Sequence, residues 1–125
     1  MEIQLSEQTP QFSIRSIFQN NDRYQFKIGE KLVEHPIILH PRGAMDWQLE
    51  NEPDIQQQDL LPLLDLGVEL VIIGTGRTQI FPDFSVTRPI LEANLGLEIM
   101  DTPAACRTYN LLLGDDRKVA VALLV

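Results

Sequence analysis

Chemistry-bearing residues concentrate between Glu98 and Asn110 in this 125-residue chain, where Asp101, Thr102, Cys106, Arg107, Thr108, Tyr109 and Asn110 fall within one short run. Cys106 sits one turn into a helix that begins near Pro103, where the helix dipole would lower a thiol pKa. A nucleophile also needs a base, and the only histidines, His35 and His40, lie in the other half of the chain. Cys106 is therefore read as a packing residue. Each histidine precedes a proline, so both favour extended backbone, and their odd separation turns them to opposite faces of a strand. That disfavours a shared metal. The carboxylate pairs Asp115/Asp116 and Glu50/Glu52 fall in polar turns without the apolar surroundings that acid catalysis requires.

Gly74-Thr75-Gly76 follows an apolar run and invites a nucleotide reading. The reading fails, because Gln79 stands where a dinucleotide fingerprint needs its third glycine, and Phe81-Pro82-Asp83 continues as loop. No Walker-type lysine motif occurs. What remains is a turn at the carboxyl end of a strand, the usual ligand position in open α/β sheets.

The elements that carry these residues are legible. Leu97, Ile99 and Met100 form a strand, Thr102 is expected to cap the next helix, and Pro103 suits its first position. The helix runs from Pro103 to about Leu113 and stops at Gly114. At ~100° per residue, an arc from Ala104 through Cys106, Tyr109, Leu111, Leu112 and Leu113 turns inward, Thr108 with it. Arg107 and Asn110 share the narrow polar face. Arg107 leans back toward Asp101, and an Arg107–Asp101 ion pair is expected to pin the junction.

Upstream, Asp59 is expected to cap a short helix through Leu64 that ends at Gly67. Leu70-Val71-Ile72-Ile73 reads as a strand covered on both faces. A helix around Thr87–Leu95 stops at Gly96, and Val119–Val125 is a last strand. The first part differs. Tyr24, Phe26 and Ile28 alternate with polar residues after the Asn20–Arg23 turn, and a further strand lies within Leu32–Leu39. Residues 44–53 carry no assignable pattern. The whole reads as one α/β domain over 1–125: a three-layer core with a central mixed sheet flanked by helices in 54–125, and antiparallel hairpins in 1–43.

Composition narrows the function. Eighteen acidic against ten basic residues give a net charge of −8, with no basic cluster, so nucleic acid is not an expected partner. The first residues lack the pattern of a signal peptide, no apolar run approaches a membrane span, and one cysteine suits a reducing compartment. A cytoplasmic location follows as the expectation.

Three stretches also carry a family resemblance: Ile72-Ile73-Gly74-Thr75-Gly76, Leu97-Glu98-Ile99-Met100-Asp101-Thr102, and Ala104-Ala105-Cys106-Arg107-Thr108-Tyr109-Asn110. With the surrounding arrangement, the chain resembles the single-domain relatives of mitochondrial respiratory complex I assembly factor 3, a domain of unknown function. The resemblance implies a three-layer α/β fold and a non-catalytic factor that binds other proteins, and it supplies no catalytic residues. The expected function is thus a protein-interaction or assembly-factor-like module with no cofactor and no metal. Its partners would be proteins, with peripheral membrane association only through a partner. The alternative is a small-molecule or anion site in a crevice between Gly74-Thr75-Gly76 and the helix start, with Asp101, Thr102, Arg107 and Asn110 as its lining.

Overall fold

A computed structural model describes residues 12–125 and the backbone of Glu2–Gln4. Among the described residues, nine strands form two sheets. The smaller is an antiparallel meander of β1 (Glu2–Gln4), β2 (Ser16–Asn20), β3 (Arg23–Ile28) and β4 (Lys31–Val33). Asn21 takes a positive φ of 59° in the β2–β3 turn, a conformation that asparagine tolerates. The larger sheet has the order β6-β5-β9-β7-β8, with β5 at Ile37–His40, β6 at Gly43–Asp46, β7 at Leu70–Gly74, β8 at Gly96–Met100 and β9 at Val119–Leu123. β7, β8 and β9 are parallel, and β5 and β6 are antiparallel to the neighbours they meet.

This is the three-layer α/β domain expected, with a mixed central sheet and N-terminal hairpins. One boundary shifts. β5 and β6 join the large sheet rather than the hairpin layer, because Leu39 pairs with Val121 and so continues the buried sheet outward. The strand expected within Leu32–Leu39 is accordingly two strands in two sheets, parted at Pro36, which has no N–H to offer a ladder. β6 also falls partly in the stretch without assignable pattern, and its residues Ala44, Met45 and Asp46 are exposed on an edge.

Alternation along β9 builds both cores. Val119, Val121 and Leu123 face helix α2 (Thr102–Gly114) and the hairpin sheet, packing with Phe26, Ile72, Cys106 and Tyr109. Ala120, Ala122 and Leu124 face the other way, toward helix α1 (Phe84–Glu92), the 3-10 segment Gln57–Leu63 and Trp47. The β7-to-β8 and β8-to-β9 connections run in opposite directions along the sheet, and crossovers of one hand then place their helices on opposite faces, as found.

Local chemistry differs from expectation at three helix starts. Asp59 does not cap from outside. It lies within the 3-10 segment, where its carboxylate accepts the Gln56 N–H at 2.7 Å and its carbonyl accepts the Trp47 indole N–H at 2.8 Å. α1 begins three residues before the expected Thr87, because Asp83 caps it by accepting from the Ser85 N–H and hydroxyl. Pro89 inside α1 leaves the Ser85 carbonyl without its intrahelical donor, and Gln57 Nε2 fills that role at 2.9 Å. At α2 the cap is Asp101, not Thr102.

Candidate functional site

The β7–α2 junction gathers most of the residues singled out above. Asp101 accepts the Ala104 N–H at 2.9 Å, which satisfies a donor of the first turn. Its carboxylate is thereby spent on the helix, and no Arg107–Asp101 ion pair forms. The expected pin is absent because a cap holds Asp101 at the helix start. Arg107 is exposed, and none of the ion pairs among the described residues includes it.

Thr102 is 0 % exposed. Its hydroxyl accepts the Gly76 N–H at 2.8 Å and donates to the Leu124 carbonyl at 2.8 Å. The Thr102 N–H donates back to the Gly76 carbonyl at 2.8 Å, and the Leu124 N–H donates to the Gly74 carbonyl at 2.9 Å. The ends of β7 and β9 and the start of α2 are therefore sewn together. Gly74 permits the approach: a Cβ there would meet Leu123 Cδ2 at 2.9 Å and both Ala105 Cβ and Thr102 Cα at 3.1 Å. Gly76 follows with a φ of 94°, which favours glycine.

Thr75 organises the next loop. Its hydroxyl donates to the Thr78 carbonyl at 2.6 Å, lies 3.1 Å from the Met100 carbonyl, and accepts the Ile80 N–H at 3.0 Å. Asn110 works further along α2, toward the residues that lead into β2. Its Oδ1 accepts the Ile14 N–H at 2.9 Å and its Nδ2 donates to the Ile14 carbonyl at 2.6 Å. The carboxamide thus stands in for a strand neighbour, and Tyr109 Oη adds a bond to the Phe12 carbonyl at 3.1 Å. The polar stripe expected of Arg107 and Asn110 is reduced to Arg107 alone. Leu111, expected inward, is 68 % exposed instead.

Cys106 is buried, and burial pushes its thiol far above the ordinary range, although Arg107 opposes the shift. Burial raises Tyr109 as well. Both groups hold their protons longer in the folded chain than in the unfolded one, so stability is intact below the unfolded pKa values and falls as pH rises beyond them. Above about pH 9 for Cys106 and about pH 10 for Tyr109, unfolding free energy should decline by about 1.4 kcal/mol per pH unit for each group. Urea unfolding at successive pH values checks this, and an unchanged alkaline slope in Cys106→Ala and Tyr109→Phe would refute it.

The histidines lie apart. His35 Nε2 is 3.5 Å from Asp46 Oδ1, whereas His40 Nδ1 accepts the Arg42 N–H at 3.4 Å, and burial beside Arg42 lowers the His40 pKa. No group of three or more His, Cys, Asp or Glu side chains among the described residues could hold a metal ion. Glu52, expected in solvent, is half-buried and lies 3.5 Å from Arg23.

A cleft that the residue pattern did not mark opens beyond the β7 end. It has a volume of about 320 Å³ between Pro53-Asp54-Ile55-Gln56 and the segment Ile80-Phe81-Pro82-Asp83, with Thr75 and Val86 also lining it. Ile80 and Phe81 are 54 % and 67 % exposed, and Phe84 in the first turn of α1 is 61 % exposed beneath the Arg88 guanidinium. The available signal was an apolar Ile80-Phe81-Pro82 run that no periodic element claims. None of the described helices is long and apolar enough to cross a membrane.

These features define a small three-layer α/β domain whose strand–helix junction is sealed by its own hydrogen bonds and whose open face is apolar. The chain belongs to the family described as "Protein of unknown function (DUF498/DUF598)", which its residues 18–124 match. It is 30 % identical over 104 residues to the "13 kDa major membrane protein" of Francisella tularensis subsp. holarctica, covering 82 % of this chain and 83 % of that one. Human NADH dehydrogenase [ubiquinone] 1 alpha subcomplex assembly factor 3 is 30 % identical over 101 residues, which are 79 % of this chain. The chain spans only 55 % of that human protein's length. A Bordetella pertussis protein described as a Mth938-like domain has the same fold, with a TM-score of 0.76, 26 % identity and coverage of 99 % of this chain and 92 % of that one.

Proposed function

We propose that this chain is a non-catalytic protein-interaction module that serves the assembly of a larger complex, as the name of its human relative describes that protein. The observation that carries the reading is the exposed run of Ile80, Phe81 and Phe84 beside the cleft. Large apolar side chains grouped at a surface mark recognition sites more often than scattered ones do. The residues first expected to bind a ligand support the reading indirectly. Gly74, Thr75, Gly76, Asp101, Thr102 and Asn110 direct their polar groups or close contacts to the chain itself.

Small-molecule binding is the second reading, favoured by a cleft of about 320 Å³ at the carboxyl end of β7. An anion is the less suitable occupant, since Asp54 and Asp83 line that cleft and no Lys, Arg or His does.

Affinity capture from the native cell, comparing the wild type with Phe81→Ser/Phe84→Ser, tests the proposal. Both side chains are exposed, so the variant should melt close to the wild type, within about 0.5 kcal/mol of stability. A partner held by the wild type should be lost or weakened at least about tenfold, the cost of removing apolar anchors. Absence of any stable partner for the folded, abundant wild type would count decisively against an interaction role.

A further inference from the structure

We propose that the cleft beyond β7 receives a partner-protein segment that presents an apolar anchor flanked by lysine or arginine. The inference rests on the protein-interaction reading and adds the chemistry of the partner. Much of the lining is apolar, with Ile55, Ile80, Phe81 and Val86 contributing, and Ile80 and Phe81 stand exposed to solvent. An aliphatic or aromatic side chain laid there would cover surface that now meets water.

Among the residues that line the cleft, charge has one sign. Asp54 and Asp83 line the cleft, no basic side chain does, and the chain carries a net charge of −8. Asp83 is held in place by Ser85, whose N–H and hydroxyl lie 3.2 and 2.7 Å from its Oδ2. Those bonds also lower its pKa, so it remains anionic. The amino end of α1, otherwise attractive to anions, is thereby already occupied by a carboxylate. An acidic segment meets like charge at both carboxylates, whereas a basic one meets complementary charge beside an apolar seat. The same carboxylates oppose the anionic surface of a phospholipid membrane, which leaves a basic protein segment as the better occupant. Thr75 and Gln56 are the other polar side chains in the lining; neither carries a charge, and the Thr75 hydroxyl is engaged with Thr78, Met100 and Ile80. Discrimination therefore falls to the two carboxylates.

The test is a nuclear magnetic resonance titration of the full chain with the peptide acetyl-Lys-Leu-Trp-Lys-Lys-amide and its counterpart with Glu in place of Lys. The basic peptide should produce saturable shifts confined to the amides of 54–56 and 75–86, and the acidic peptide none. Affinity should fall about tenfold between low and high salt, as screening shortens the reach of the carboxylates. Asp54→Asn/Asp83→Asn should weaken binding by about tenfold or more. Asparagine still caps a helix, so α1 persists in that variant, and its melting temperature verifies this. Equal shifts from both peptides, no shifts from the basic one, or indifference to the double substitution would overturn the proposal. Sedimentation with phosphatidylglycerol-containing vesicles that Phe81→Ser abolishes would overturn it in favour of a lipid surface. If the peptide fails but cellular capture still depends on Phe81 and Phe84, the charge inference falls and the interaction reading stands. If capture yields no partner, the interaction reading itself falls.

Discussion

Thr102→Val should lower the unfolding free energy by about 2–4 kcal/mol, the largest effect expected of any single isosteric change in this chain. Valine fills the same volume, so packing against Gly74 and Leu124 is retained and only the hydroxyl is lost. That hydroxyl is the partner of both the Gly76 N–H and the Leu124 carbonyl in a fully buried place. Neither group can turn to water, and each unsatisfied group costs about 1–3 kcal/mol. Thr102→Ser keeps both hydrogen bonds and removes one methyl, at about 1 kcal/mol. Chemical denaturation of the pair separates the two contributions. A Thr102→Val protein as stable as the wild type would show that the hydroxyl is available for some other purpose, as a ligand site would require.

Asn110→Ala should cost about 1–3 kcal/mol, and the loss should be local as well as global. The carboxamide bonds both backbone groups of Ile14, a residue that is 0 % exposed at the entry to β2. Removing it takes away two bonds that tie that entry to α2, leaving the bond from Tyr109 to Phe12 and the apolar packing of Ile14. Hydrogen exchange should therefore quicken at Ile14 and along β2 more than along β7 or β9. Asn110→Asp keeps the acceptor for the Ile14 N–H but sets a carboxylate against the Ile14 carbonyl, so it should not rescue stability. A uniform change across all strands, or none, would show that Asn110 does not fasten the hairpin sheet.

Both predictions concern residues whose polarity made them look like parts of a site. Legibility divides along the range of the interactions. The apolar run Leu70–Ile73, the hairpin alternation in 23–28 and the helix that follows Asp101 are set by neighbours a few positions away, and all three elements appear where expected. The inward turn of Cys106 and Tyr109 follows from the same helical period. Caps were harder to assign. Asp101-Thr102-Pro103 offers two adjacent oxygen-bearing residues, and the choice of Asp101 depends on Thr102 being drawn away toward Gly76 and Leu124.

The bond from Asn110 to Ile14 joins residues 96 positions apart, and nothing in the helical wheel of α2 marks its polar face as covered. The assignment of β5 to the large sheet rests likewise on pairing with β9 near the other end of the chain. The cleft arises from two segments, 53–56 and 80–83, each without periodic structure. A 3-10 segment and α1, tied by the Gln57–Ser85 bond, bring those segments together.

Alternation and helical period record which side of each segment avoids water, because burial of apolar surface is a property of the residue and its immediate neighbours. They specified the strand and helix order from Leu70 onward and marked the Glu98–Asn110 run as a made junction. They are silent on which distant backbone group a buried hydroxyl or carboxamide will meet, since unpaired polar groups accept any partner of suitable geometry. Packing of the sheet, α2 and the hairpin layer chose those partners here. That choice closed the polar junction upon itself and left an acidic, apolar cleft open beyond it.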